Sequence, residues 1–110
     1  MKLYESPFDR IKSGKKRIEI RLFDEKRQGV NLGDIIHFSK LPDLNERLST
    51  EVIGLLRYKS FQDLVDDFPM SAFGYPDDYD KRAFVQGCYE VYTPEEEKKF
   101  GVLGIRIKLL

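Results

Sequence analysis

The stretch Ser13–Gly29 reads SGKKRIEIRLFDEKRQG, and its middle alternates with a period of two: Ile18, Ile20 and Leu22 against Arg17, Glu19 and Arg21. That period places successive side chains on opposite faces of a strand. The apolar set predicts a face turned to a core, and the charged set predicts an outer, polar face. A solvated face needs no particular charges, yet this one sets a carboxylate between two guanidinium groups, with Lys16 just before it. Gly14 suits a sharp turn into the strand. Glu19 and Arg21 are two apart and project to the same side, so Glu19 can hold Arg21 or Lys16 by charge-assisted hydrogen bonds. The segment is either a salt-bridged surface or part of an anion site, and periodicity leaves both open.

Upstream, Ser6–Gly14 predicts a short helix, with Ser6 as N-cap, Pro7 at the first helical position and Gly14 as the stop. Phe8 and Ile11 share its buried side. Downstream, Asn31–Asp34 is a turn into a second strand at Ile35–Ser39, and a longer strand runs from about Leu48 to Tyr58. Ser60 caps a helix that gathers Phe61, Leu64 and Val65 on one face. Phe68–Asp80, with Pro69, Gly74 and Pro76, reads as irregular, and Lys81–Val91 reads as helical. Thr93-Pro94-Glu95-Glu96 is a capping box that opens another helix, stopped at Gly101. Val102–Leu109 alternates again as a closing strand. Strands interleaved with short helices in mixed order make an α+β protein, and curling the sheet into a small barrel hides its edges.

The length of 110 residues predicts one domain spanning 1–110, and 41% apolar with 35% charged residues is the balance of a soluble globular chain. No apolar run approaches the ~20 residues needed to cross a bilayer, and Met1–Glu5 has no signal-peptide character. A single cysteine, Cys88, forms no internal disulfide, which points to the cytoplasm. One Cys and one His (His37) do not make a zinc site of the usual kind, and no metal or cofactor is expected. Cys88 reads as a small buried apolar residue and His37 as a surface or hydrogen-bonded histidine. Asp77–Asp80 reads as a solvated loop, and Glu95–Glu97 as a helix N-terminus with no further role.

The net charge is zero, but residues 1–30 carry nine Lys/Arg against five Asp/Glu, and residues 60–100 carry four against ten. A pI of 6.6 speaks against tight non-specific nucleic-acid binding, for which values above about 9 are usual. It leaves room for a small, focused anion site in the basic third of the chain.

The spacing Gly14-x-Lys16-x-x-Glu19-x-Arg21 resembles the G-x-K-x-x-E-x-R signature of the ASCH domain. Pro7-Phe8-x-x-Ile11-x-Ser13-Gly14 is similar to the helix that precedes that signature. Leu32-Gly33-Asp34-x-Ile36-x-Phe38 is similar to the second strand of small bacterial members, and Tyr92-Thr93-x-Glu95-Glu96-Glu97-x-x-Phe100-Gly101-Val102 to their closing helix and strand. The likeness spans most of the chain and is thinnest between Phe68 and Tyr89.

This resemblance implies a small PUA-like mixed β-barrel with short flanking helices, a fold whose relatives bind RNA. It implies single-stranded RNA or a nucleotide-like ligand as partner, held by Lys16, Glu19 and Arg21 with Lys15 and Arg17 beside them. An aromatic such as Tyr4 or Tyr58 would stack a base. It also implies an alternative, a hydrolase acting on N4-acetylcytidine or on RNA, with Lys16 and Glu19 as the catalytic pair. The deacetylating members carry threonine where this chain has Glu19, which counts against their mechanism. Here Glu19 would have to activate water while Lys16 steadies the oxyanion. A module that binds another macromolecule and no nucleic acid is the third reading.

Overall fold

Burial, more than intrinsic propensity, accounts for the short elements of this chain, whose 110 residues are all described by a computed structural model. Five strands, Lys2–Leu3 (β1), Ile18–Leu22 (β2), Ile35–Lys40 (β3), Arg47–Tyr58 (β4) and Val102–Leu109 (β5), are interleaved with four helices. The helices are Glu5–Lys12 (α1), Phe61–Asp66 (α2), Lys81–Cys88 (α3) and Pro94–Phe100 (α4). The sheet runs β1-β3-β4-β5-β2, antiparallel except for the parallel β1–β3 pair, and curls into a half-barrel. The α+β class and the curved sheet are therefore as expected, but β1 and β2 share no ladder and a seam stays open between them. No helix is long and apolar enough to cross a membrane.

Two cores lie on the two sides of this sheet. Phe8, Phe38, Val52, Leu103, Ile105 and Ile107 fill the inside of the curl. Ile18, Leu22, Leu64, Phe73, Val85 and Val102 form the second core, between the outside of β2–β5 and the segment from α2 to α3. Fully burying each such side chain contributes about 1.5–3 kcal/mol. A six-residue helix such as α2 is not stable alone, and burial of Phe61, Leu64 and Val65 to 0% exposure is what holds it. A register shift between Val52 and Gly54 turns Ile53 out to solvent and resets the alternation, so that Val52 and Leu55 both face inward.

The structure changes one expectation that matters for function. The charged face of β2 is the inner one. Glu19 pairs across β5 with Ile105 and Arg21 with Leu103, both residues of the inner core, while Ile18 and Leu22 pack under the helices outside. Each face of this edge strand is covered, and alternation alone does not say which face looks into the curl.

Smaller differences have local reasons. α1 starts at Glu5 with Tyr4 as its cap residue, so Ser6 is not the N-cap and Pro7 sits in the third helical position. Proline is tolerated there because the first-turn N–H groups lack helical partners anyway. Gly14 stops the helix as expected, at φ +79°. α3 ends at Cys88, three residues early, where one carbonyl accepts from both Val91 and Tyr92 and closes a turn. Ser60 and Thr93 cap α2 and α4 as read, Thr93 in a full capping box with Glu96. Glu97 does have a further role: it is buried and accepts from the Phe61 amide at 2.8 Å and the Tyr89 hydroxyl at 2.7 Å. It thereby ties α4 to the start of α2 and the end of α3.

Candidate functional site

Gly14 turns the chain out of α1, and the Lys16 amide then donates to the Arg10 carbonyl at 3.0 Å. A backbone bridge between Lys16 and Phe73 holds the lysine at the entrance to β2. From there Lys16 Nζ donates to Glu19 Oε1 at 2.8 Å, and Arg21 Nη2 donates to Glu19 Oε2 at 3.3 Å. The Ile20 amide adds a third donor to Oε1 at 3.1 Å. The Glu19 side chain is only 4% exposed, with Lys16 at 12% and Arg21 at 14%. A carboxylate buried this far is tolerated only when paired and hydrogen-bonded, and here both oxygens are engaged. Burial pushes its pKa upward, but the adjacent charges of Lys16 and Arg21 outweigh that and hold Glu19 below the ordinary carboxylate range. Glu19 is thus a fixed anion that orients two cations.

These groups lie in a cleft of about 380 Å³ at the open seam of the half-barrel. Arg21 Nη2 also reaches the Lys2 carbonyl at 3.3 Å, so the guanidinium spans the gap between β2 and β1. Much of the remaining lining is aromatic: Phe73, Tyr75, Tyr79, Phe84 and Tyr92 all border the cleft, Phe73 bridged to Lys16. Tyr75 packs on Tyr79 at 4.7 Å and edge-on to Phe84 at 5.3 Å, and the Arg10 guanidinium lies 4.1 Å over the Tyr75 ring. Gly74 makes that stack possible. Its φ is +85°, and a Cβ there would come within 2.9 Å of Arg10 Cδ and 3.2 Å of Lys16 Cβ. The Tyr92 phenol has its pKa raised by burial, with Arg21 opposing the shift. Lys2, Arg10, Lys16 and Arg21 border the cleft against the carboxylates Glu19 and Glu90, a cationic balance that favours an anionic ligand.

Lys16, Glu19 and Arg21, the core of the predicted set, thus converge. Lys15 and Arg17 do not join them: both are exposed and border a separate shallow depression beside Gly74 and Pro76. Tyr4 stands at the lip of the cleft, 71% exposed. Tyr58 is elsewhere, and its hydroxyl donates to Asp67 at 2.7 Å. His37 is on the surface with Nδ1 at 2.8 Å from Ser49 Oγ. Cys88 borders the cleft, but burial pushes its thiol up to about 11, leaving it a poor nucleophile. A larger depression of about 810 Å³ beside α1 is open and contains none of the buried charges.

Tyr75, Tyr79 and Tyr92 were missed by sequence reasoning. A signal did exist, since Phe68–Tyr92 holds seven of the fourteen aromatic residues. No group of three or more His, Cys, Asp or Glu side chains is placed to hold a metal ion.

Comparison with known proteins agrees with this architecture. The crystal structure of the hypothetical protein PH0355 is similar over the whole of both chains, with 32% identity and a TM-score of 0.82. The solution NMR structure of protein PF0455 from Pyrococcus furiosus is 30% identical with a TM-score of 0.74, over 100% of this chain and 98% of that one. A comparison with curated proteins found no match. The family model described as ASCH domain matches residues 1–110, and the chain belongs to the ASCH domain family.

Proposed function

We propose that this protein binds single-stranded RNA, seating one nucleotide in the seam cleft. The observation that carries the reading is the convergence of Lys16 and Arg21 on buried Glu19 in an aromatic-lined cavity of about 380 Å³. Cavities of this order hold small ligands. Proteins that read single-stranded RNA place unstacked bases on aromatic rings and meet phosphates with Lys or Arg. Here Arg21 and Lys16 meet the phosphate or a base carbonyl, Glu19 fixes their rotamers, and Tyr75 and Tyr79 supply the stacking surface. Membership of the ASCH family, whose PUA-like fold has RNA-binding relatives, supports the same reading.

The hydrolytic alternative fares worse on the same geometry. A general base works best with a pKa near the operating pH and a free lone pair. Glu19 has its pKa held low and both oxygens occupied by donors.

Fluorescence anisotropy with labelled single-stranded RNA tests the binding reading. Wild type should bind, and Lys16→Ala and Tyr79→Ala should each weaken binding several-fold, Tyr79 being exposed enough that its loss leaves the core intact. Equal affinity of all three proteins removes the assigned site.

A further inference from the structure

A second basic hollow, of about 630 Å³, lies where β2, β4 and α4 end. Arg57 and Lys59 border it from the end of β4, and Lys98 and Lys99 from the last turn of α4, with Phe23 and Phe100 between them. No carboxylate borders it. Five of the nineteen Lys and Arg side chains, Lys12 among them, have a carboxylate within ion-pair distance, and none of the five borders the hollow. Lys16 and Arg21 share Glu19, Arg27 pairs with Asp24, and Lys40 is surrounded by Glu5, Asp9 and Glu46. None of the four cations of the hollow has a carboxylate within ion-pair distance. Attraction to the carbonyl end of α4 explains Lys98 and Lys99, but it does not explain Arg57 and Lys59, which come from another element. Arg57 is also held in place, its guanidinium 3.8 Å over the Phe23 ring, and Lys99 lies 5.0 Å over Phe100.

Strand register connects this hollow to the cleft. Arg21 pairs with Leu103, and Leu103 pairs with Arg57, so the three lie in one row across β2, β5 and β4 and share the inner face. Two inter-strand spacings put the Arg21 and Arg57 backbones about 10 Å apart. Phe23, two residues beyond Arg21, lies under the Arg57 guanidinium.

We infer that the hollow is a phosphate-backbone site for the nucleotides that flank the one in the cleft. The inference rests on the RNA-binding reading for its partner, and its cations are separate from those of the cleft. A positively charged surface next to aromatic faces is what tracks a single-stranded backbone without reading its sequence, and here Arg57 is seated on Phe23 and Lys99 on Phe100. Such a surface gives the protein a footprint of several nucleotides although the cleft holds one.

The test uses K59A/K98A/K99A, three exposed positions, with the fold checked by its melting curve. Arg57 is left in place because it packs on Phe23. Binding of an RNA of about a dozen nucleotides and of a nucleoside 5′-monophosphate is measured over a series of salt concentrations. The expected result is a roughly tenfold loss for the RNA and a log–log salt slope shallower by about two, with the monophosphate unaffected. Unchanged RNA affinity and slope overturn the inference, as does an equal loss for the monophosphate. Equal weakening toward poly-glutamate overturns the assignment to RNA. Lys16→Ala keeps the two readings apart: if it leaves monophosphate binding intact, the cleft reading fails, while the triple variant still decides the hollow.

Discussion

Arg21 on β2 donates to the backbone carbonyl of Lys2 on β1 at 3.3 Å, so one guanidinium stands where a closed barrel would have a ladder of backbone bonds. The same nitrogen meets Glu19 at 3.3 Å, which makes Arg21 both a fastening of the seam and part of the cleft. Replacing it removes two hydrogen bonds, one charge-assisted, from a site where the side chain is 14% exposed. Arg21→Ala should lower stability by about 2–3 kcal/mol in urea unfolding, and it should raise hydrogen exchange in β1 more than in β4. Uniform exchange across the sheet contradicts the seam role.

Glu19 makes stability depend on pH in a definite direction. Its folded pKa lies below the ordinary carboxylate value of about 4.3, so the ion-paired form stabilises the fold above that value. The contribution is lost as pH falls through the lower folded pKa. Glu19→Gln should therefore be less stable than wild type near neutrality, by about 2 kcal/mol, and the gap should close in acid. Parallel melting temperatures of the two proteins from neutral to acid pH would show that the pairing adds nothing.

Gly74 sets the aromatic lining. Gly74→Ala forces a left-handed backbone on a residue with a Cβ, at about 1 kcal/mol, and crowds Arg10 off Tyr75. The variant should remain folded and bind RNA several-fold more weakly. Unaltered affinity in an anisotropy titration would separate the lining from the ligand.

Glu97 offers a structural control. Glu97→Ala leaves the Phe61 amide and Tyr89 hydroxyl without their acceptor in a buried setting, for a loss of about 1–3 kcal/mol. Calorimetry should record that loss, while RNA affinity below the melting transition stays as in wild type.

What could be read from the sequence followed local rules. Ser60, Thr93 and Gly14 act within a few residues of themselves, and the structure places them as caps and stop where their chemistry predicts. The pairing of Lys16, Glu19 and Arg21 was legible for the same reason, since three and two residues of separation fix their reach. Features set by distant contacts were not legible. β1 is two residues long and exists through its pairing with β3. The inward direction of Glu19 depends on which side α2 and α3 cover, and Glu97 finds its partner 36 residues away. Tyr75 and Tyr79 reach the cleft through a segment with no period to read.

The central claim is that the seam cleft takes a nucleotide of single-stranded RNA, and amide chemical-shift mapping of the isotope-labelled protein tests it most directly. On titration with a short single-stranded RNA, the amide of Ile20, bonded to Glu19, and those of Arg21, Tyr75 and Tyr79 should shift together and saturate at one affinity. Saturable shifts that leave these four amides unmoved, or no shifts at all, would contradict the account.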